Sequence, residues 1–428
     1  MVSAGGKAFL NDHGIRRLVP DEAAAFAANF DVRQPPPAFY ADPFPFYHAL
    51  RDYDPVRRMP DGSVFLTRYR DVEQIYKDPR LFSSDKKQEF KPKYGNSPLY
   101  EHHTSSLVFN DPPLHTRVRR SIAGALAPRA IAAMEGSLVA LVDRLLDAAE
   151  AKGQFDLIDD FAAAIPVEVI GTLLGMPAAE RGPLRGWSLA ILGALEPLPT
   201  PTQLDRGNDA VVQFLDDLRR LVAARRKSLR DPNEDVLTRL IVGEPEGERL
   251  AETELLHNCI FILNAGHETT TNLIGNGLHA LLEWPGERRR LQADQALVRT
   301  AVEEFLRFES SNQLGNRIST DWSEIGGVRL PPSTPVTLCI GAANRDPQQF
   351  PRPDVLDLGR TPNRHVAFAT GIHACVGMSL ARLEGKIAIE RFVRRFPGYE
   401  LAGEPRRSGR VRFRGFLSLP VRCRPAGA

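Results

Sequence analysis

Only four of the 428 residues are cysteine (Cys259, Cys339, Cys375 and Cys423), and no two of them form a CxxC pair. That spacing excludes a disulfide framework and a structural zinc site, and it suits a reducing compartment. No apolar run approaches the length of a membrane span, and the N-terminus lacks the basic-then-apolar layout of a secretory leader. A cytoplasmic protein, monomeric and without a membrane partner, is therefore expected. Charge of one sign is missing too: 55 basic against 53 acidic residues leave a formal net charge of +2, so no nucleic-acid partner is implied. No glycine-rich dinucleotide fingerprint follows a strand pattern, which excludes a fused reductase. Linkers, internal repeats and low-complexity blocks are likewise absent. The organisation expected is an N-terminal surface arm over residues 1–37, ending in Gln34-Pro-Pro-Pro37, and a single domain over 38–428.

Periodicity points to a mainly helical chain. Helix patterns run over Phe44–Arg51, Arg70–Lys77, a core series from Ile131 to Ala149, Ile165–Leu174, Leu184–Leu195 and Asp209–Leu229. Strand signals are fewer. Pro55–Tyr69 suggests a hairpin round a Pro60–Gly62 turn, Val328–Ile340 alternates in part, and Val411–Val421 reads as a closing hairpin with solvated arginines. Residues Phe82–Ser106 hold no period and read as a charged, solvated loop of the kind that often binds ligands.

Three stretches carry chemistry. In Phe368-Ala-Thr-Gly-Ile-His-Ala-Cys-Val-Gly377, one cysteine stands between two glycines just before a long helical pattern. Glycine lets a loop fold tightly and aim N–H groups at the sulfur, and the positive end of a helix favours thiolate over thiol. A lone cysteine is more often a small buried hydrophobe, but so many constraints within ten residues argue against that. The second stretch, Leu255–Leu282, is apolar nearly all round until Asn264-Ala-Gly-His-Glu-Thr-Thr-Thr271 interrupts it. A glycine and three threonines cost helix stability, and rules of local preference tend to fail this way at functional sites. Burial should raise the carboxyl pKa of Glu268, and threonine hydroxyls can bond back one turn and bend the helix. The third, Glu303-Glu304-Phe-Leu-Arg307, places Glu304 and Arg307 on one helical face, a weak signal by itself.

In that order and spacing, from about Phe44 to the C-terminus, the sequence resembles the cytochrome P-450 family of haem-thiolate monooxygenases, soluble bacterial type. The resemblance implies a mainly α fold with a smaller β-rich region, a triangular prism of helices around haem b. Cys375 would ligate the iron, with Phe368 and Gly377 in its loop; Ala369 departs from the family's usual glycine. His115, Arg119, Arg317 and His373 would anchor the haem propionates. Ala265 and Gly266 would leave room beside the iron for oxygen, Thr269 would hydrogen-bond that oxygen, and Glu268 would belong to the proton path. Glu304 and Arg307 would be a structural pair whose third partner is open, since Val355 follows Pro353-Asp354. Leu189, Leu192, Asn264 and Leu314 would line the substrate pocket, Leu189 and Leu192 in its roof.

The resemblance further implies insertion of one oxygen atom from O2 into a small, mainly apolar substrate by hydroxylation or oxidative dealkylation. Electrons would come from a separate ferredoxin and ferredoxin reductase, docking on basic residues such as Arg117, Arg120, Arg382 and Lys386. Two other classes compete. A haem-thiolate sensor without turnover would not need Glu268 and Thr269, and a zinc or thiol enzyme using His365, His373 and Cys375 would have an unfamiliar ligand spacing.

Overall fold

The computed structural model describes residues 8–10, 16–232, 235–243 and 249–423, with side chains from residue 16. Its axis is the helix Glu252–Glu283, the continuous apolar stretch of the sequence, where Leu255, Ile260, Leu263, Ile274 and Leu281 are among many buried side chains. At its start Glu254 reaches back to accept from the Ala251 N–H (2.9 Å), which satisfies one donor the first turn leaves open. Helices Ala164–Leu173, Leu184–Gly193, Pro201–Lys227, Val298–Phe308 and Met378–Arg395 pack round it. A helix with no polar face has to be enclosed in this way.

Proline at the first helical turn starts several of these elements, among them Pro20–Asn29, Pro98–Ser105, Pro128–Lys152 and Pro201–Lys227. Its missing N–H costs nothing there, because that donor has no partner inside the helix. Helix Pro201–Lys227 thus begins eight residues before the expected Asp209, under a capping box of Thr200 and Gln203.

The β-rich part is a five-stranded sheet ordered Val56–Arg58, Val64–Leu66, Pro335–Cys339, Leu314–Ser319, Phe82–Ser83. The expected hairpin is its edge, with Val56 opposite Leu66. Pro335–Cys339 runs parallel to Val64–Leu66 and antiparallel to Leu314–Ser319, with Val336 opposite Arg317. The mainly α fold with a smaller β-rich region agrees with the expectation.

Three expectations are corrected. The arm is not merely laid on the surface: helix Pro20–Asn29 packs on Phe44–Tyr53, and Ala23, Ala27, Phe30 and Val32 are buried in a cluster with Phe39, Phe46 and Phe65. Residues 1–7 and 11–15 of that arm lie outside the described residues. The "irregular" stretch folds into helices Lys87–Tyr94 and Pro98–Ser105, and Lys86, His102 and His103 are buried. Each helix is about two turns long, too short for a hydrophobic period to register. The tail is not one hairpin. Phe416–Ser418 pairs with Arg406–Arg407, and Pro420–Arg422 lies between Glu400–Leu401 and Gln154–Asp156. Its arginines turn inward, as described below.

Candidate active site

The loop before helix Met378–Arg395 closes on itself: the Cys375 N–H donates to the Phe368 carbonyl (2.9 Å) and the Ala374 N–H to that of Gly371 (3.1 Å). Gly371 has φ +72°, and a Cβ there would collide with the carbonyl oxygen of Tyr76, so a side chain is barred twice over. Ala369 also sits in the left-handed region (φ +54°), a strain of roughly 1–2 kcal/mol for an L-residue. Gly377 has an ordinary φ of −90° and caps the helix that follows. Its N–H points at the Cys375 sulfur. Burial pushes the Cys375 thiol up, while that N–H, Arg119 and Arg382 oppose the rise. Burial thus works against the helix end at this sulfur, and a cation bound there would favour the thiolate.

Cys375 faces a cavity of about 340 Å³ with Phe368, Ala265, Gly266 and Thr269 also in its wall. The Thr269 hydroxyl donates to the Ala265 carbonyl (2.8 Å), the back-bond expected of a threonine inside a helix. A Cβ on Gly266 would strike the Ile170 side chain, so its smallness also admits helix Ala164–Leu173.

On one side of the cavity His115, Arg119, Arg317 and His373 converge, from one helix, a strand and the cysteine loop. The His115 and His373 rings lie 4.0 Å apart, and three of their four nitrogens are buried without a hydrogen-bond partner. Burial keeps both imidazoles neutral, His373 at about 2, with Arg317 and Arg119 adding to the effect. Neither arginine has a carboxylate oxygen within 4.0 Å among the described residues. Such a cluster calls for an anion. Two propionates under a flat macrocycle fit it, and a soft sulfur facing the same cavity fits iron.

Glu268, expected in the proton path, is buried behind the cavity lining. Its Oε1 accepts from Arg410 Nη1 (2.5 Å), while Oε2 has no partner. Arg410 also bonds Glu196 (3.1 Å) and the Leu192 carbonyl (2.8 Å), so it ties the central helix to the roof. Burial raises the Glu268 carboxyl, and Arg410 pulls it part of the way back. His267 is buried with both nitrogens unpartnered, a packing residue.

Leu192, Leu314 and Asn264 line the cavity, but Leu189, one turn before Leu192 along the roof helix, does not. Asn264 Nδ2 is engaged with His102 Nε2 (3.3 Å). Away from the cavity, Glu304 and Arg307 are fully buried and doubly bonded (2.8 Å each). The open third partner is Arg360 (3.1 Å to Glu304 Oε2), and Asp354 instead pairs with His48 and Arg345 (3.1 Å each). Of the basic residues expected at a docking face, Arg117 pairs with Glu254, Arg382 with Glu303 (2.7 Å) and Lys386 with Glu135 (3.8 Å), whereas Arg120 is exposed. His365 bonds Glu303 (3.2 Å), and no metal-ligand cluster of three His, Cys, Asp or Glu occurs among the described residues.

Sequence reading missed Arg360, Arg410, Arg412 and Glu384. Glu384 lines the cavity, and burial pushes it up to about 8. Only its place in helix Met378–Arg395, one turn from the apolar Leu380, Ile387 and Ala388, could have hinted at it.

The sequence model of the family described as Cytochrome P450 matches residues 188–403. The biotin biosynthesis cytochrome P450 of Bacillus subtilis is 34% identical over 387 residues, 90% of this chain and 96% of that protein. The vitamin D(3) 25-hydroxylase of Pseudonocardia autotrophica is 38% identical over 369 residues, 85% of this chain and 89% of that protein. Among solved structures, P450BioI in complex with hexadec-9Z-enoic acid ligated acyl carrier protein superposes with a TM-score of 0.85 at 33% identity, covering 90% of this chain and 99% of that one.

Proposed function

The chain belongs to the cytochrome P450 family of haem-dependent monooxygenases, and on that premise we propose that it hydroxylates or oxidatively dealkylates a small, mainly apolar substrate with electrons from a separate ferredoxin. The observation that carries this reading is the meeting of the Cys375 sulfur, Thr269 and the anion-seeking cluster of His115, Arg119, Arg317 and His373 in one cavity.

The bound haem supplies reductive activation of O2, with the thiolate donating electron density to the iron. Cys375 would ligate that iron, and the Gly377 N–H aimed at the sulfur would temper its donation. Arg119 and Arg317 would carry the charge that neutralises the propionates, and the neutral imidazoles of His115 and His373 would each donate one hydrogen bond.

On the distal side, the Thr269 hydroxyl exchanges its bond to Ala265 for one into the cavity by rotating about a single torsion. Glu268 would take up a proton close to the turn that carries Thr269, at a carboxyl whose affinity for it burial raises and Arg410 lowers. To deliver that proton the carboxyl has to swing off Arg410, so Arg410 sets when the path opens. Leu173, Leu192, Leu195 and Phe413 present an apolar wall to the substrate and exclude water. The relatives' names point the same way, towards an acyl chain and vitamin D3. The ferredoxin would meet the exposed Arg120 on the side of helix Leu114–Ala125, whose Arg119 reaches the propionate cluster.

The test is to purify the haem-loaded protein, reduce it and add carbon monoxide, then follow incorporation of label from 18O2 with ferredoxin and reductase present. A thiolate-type absorption band with label in the product supports the reading. An imidazole-type band, or consumption of O2 without labelled product, refutes it.

A further inference from the structure

Arg410, Arg412 and Arg414 occupy alternate positions of the segment that closes the cavity. Arg410 is neutralised by Glu268 and Glu196, and Arg414 by Glu309. Arg412, between them, differs. No carboxylate oxygen lies within 4.0 Å of its guanidinium nitrogens among the described residues, and Glu196 Oε2 accepts only from its backbone N–H (3.3 Å). Its guanidinium donates only to neutral acceptors, the Leu314 carbonyl (3.1 Å) and the Asn316 side chain, and its Nε is buried without a partner. The side chain forms part of the cavity wall.

A guanidinium partly withdrawn from water with no counter-charge in contact is costly, and Glu196 and Glu89 offset that cost only from a distance. Two basic side chains stand near it as well. Lys93 is half-buried nearby and donates only to the Glu196 carbonyl (2.8 Å). His103 lines the same cavity, with a buried Nε2 that has no partner. Opposite this polar end the wall is made of aliphatic and aromatic side chains, Leu173, Leu192, Leu195 and Phe261 among them. A cavity built this way recognises an amphiphile.

The geometry points to a substrate that is an organic acid, whose carboxylate pairs with Arg412 while its apolar body extends along the leucine wall towards Cys375. This assignment rests on the monooxygenase reading and adds the chemical class of its substrate. A carboxylate presents two oxygens to the guanidinium fork, and His103 is placed to donate a further hydrogen bond. The primary alcohol of the same skeleton offers one neutral oxygen and leaves the cation unpaired. It should therefore bind about tenfold or more weakly.

Three acids with different bodies serve as probes: dodecanoate, 4-butylbenzoate and the diterpene acid abietate, each beside its primary alcohol. Binding to the haem-loaded protein is read by calorimetry and by the spin-state change in the haem spectrum. The expected result is tighter binding of the acid in every pair that binds. In Arg412→Gln that preference collapses while affinity for the alcohol holds, and Arg412→Lys restores part of it. Haem content and the carbon monoxide band should match the parent in both variants. The proposal is overturned if no acid binds, if acids and alcohols bind alike, or if Arg412→Gln keeps the preference. Loss of haem from Arg412→Gln would also overturn it, by placing the guanidinium on a propionate. A missing thiolate band in the parent would sink the monooxygenase reading itself, whereas a normal band without acid preference would sink only this assignment.

Discussion

The cysteine side and the oxygen side of this cavity are built in opposite ways. On the cysteine side one short loop does most of the work: Phe368, Gly371, Cys375 and Gly377 lie within ten residues, and their mutual bonds are backbone bonds. Its support, Glu304 with Arg307 and Arg360, is a buried charge network with every partner satisfied by side chains and carbonyls. On the oxygen side, by contrast, the charged groups come from far apart. Glu268, Glu196, Arg410 and Arg412 span more than 200 residues and meet only when the tail folds back over the roof. Rigid local construction suits a ligand that must not move. Charges brought from separate segments suit groups that must exchange partners during turnover.

The comparison can be broken most severely at the sulfur. Cys375→His should abolish the thiolate-type carbon monoxide band and reduce product to background, while the far-ultraviolet dichroism of this mainly helical chain stays that of the parent. Next comes Arg307→Ala, which leaves Glu304 buried beside only part of its network. A loss of about 3–5 kcal/mol is expected, read as a lower denaturant midpoint and poor haem retention. A midpoint within error of the parent would show that the pair is not structural.

On the oxygen side the effects should fall on coupling and pH. Thr269→Ala keeps the fold but removes the rotating hydroxyl, so product per pair of electrons should drop by about tenfold or more, with hydrogen peroxide in its place. Tightly coupled turnover in that variant would remove the role given to the hydroxyl. Arg410→Gln removes the charge that holds the Glu268 carboxyl down, so its affinity for a proton should rise further. The proton-donating form then persists to higher pH, and the alkaline fall in coupled product formation should move upward. A shift to lower pH, or none, would dissociate Arg410 from the acid.

The smallest effect is expected at Glu384, whose folded pKa, pushed up to about 8 by burial, lies above the ordinary carboxylate value near 4.3. Between those two values the unfolded chain releases the proton that the folded chain keeps. Stability present below pH 4.3 is thus lost progressively as pH rises towards 8. Glu384→Gln removes that loss, so its melting temperature relative to the parent should be more favourable at pH 8 than at pH 5, by roughly a few degrees. Equal differences at both pH values would show that the carboxyl does not titrate there.

The same contrast decides how much was legible in the sequence. The cysteine loop and the interrupted central helix could be read directly, because each is a run of neighbours with a local period or motif, whereas the Glu304–Arg307 pair, weak by itself, drew its meaning from the resemblance. The cluster of His115, Arg119, Arg317 and His373 needed a family resemblance, since His115 and Arg119 alone look like any basic helix face. Leu189 was misplaced by one helical turn, the resolution at which a pattern assigns a side chain to a wall. Arg412 and Arg414 were read as solvated because an arginine in an alternating tail normally is, and Arg410 just before that tail carried no signal.

What the residues determined unaided is the apolar axis, the loop that holds a sulfur at the head of a helix and the order of the segments between them. Those depend on hydrophobic period and backbone permissiveness, which act between near neighbours. Which arginine meets an acid and which faces the cavity alone was decided only when the tail crossed the roof. Counter-charge is a matter of distance in space, and nothing in the spacing of residues 410–414 carries it.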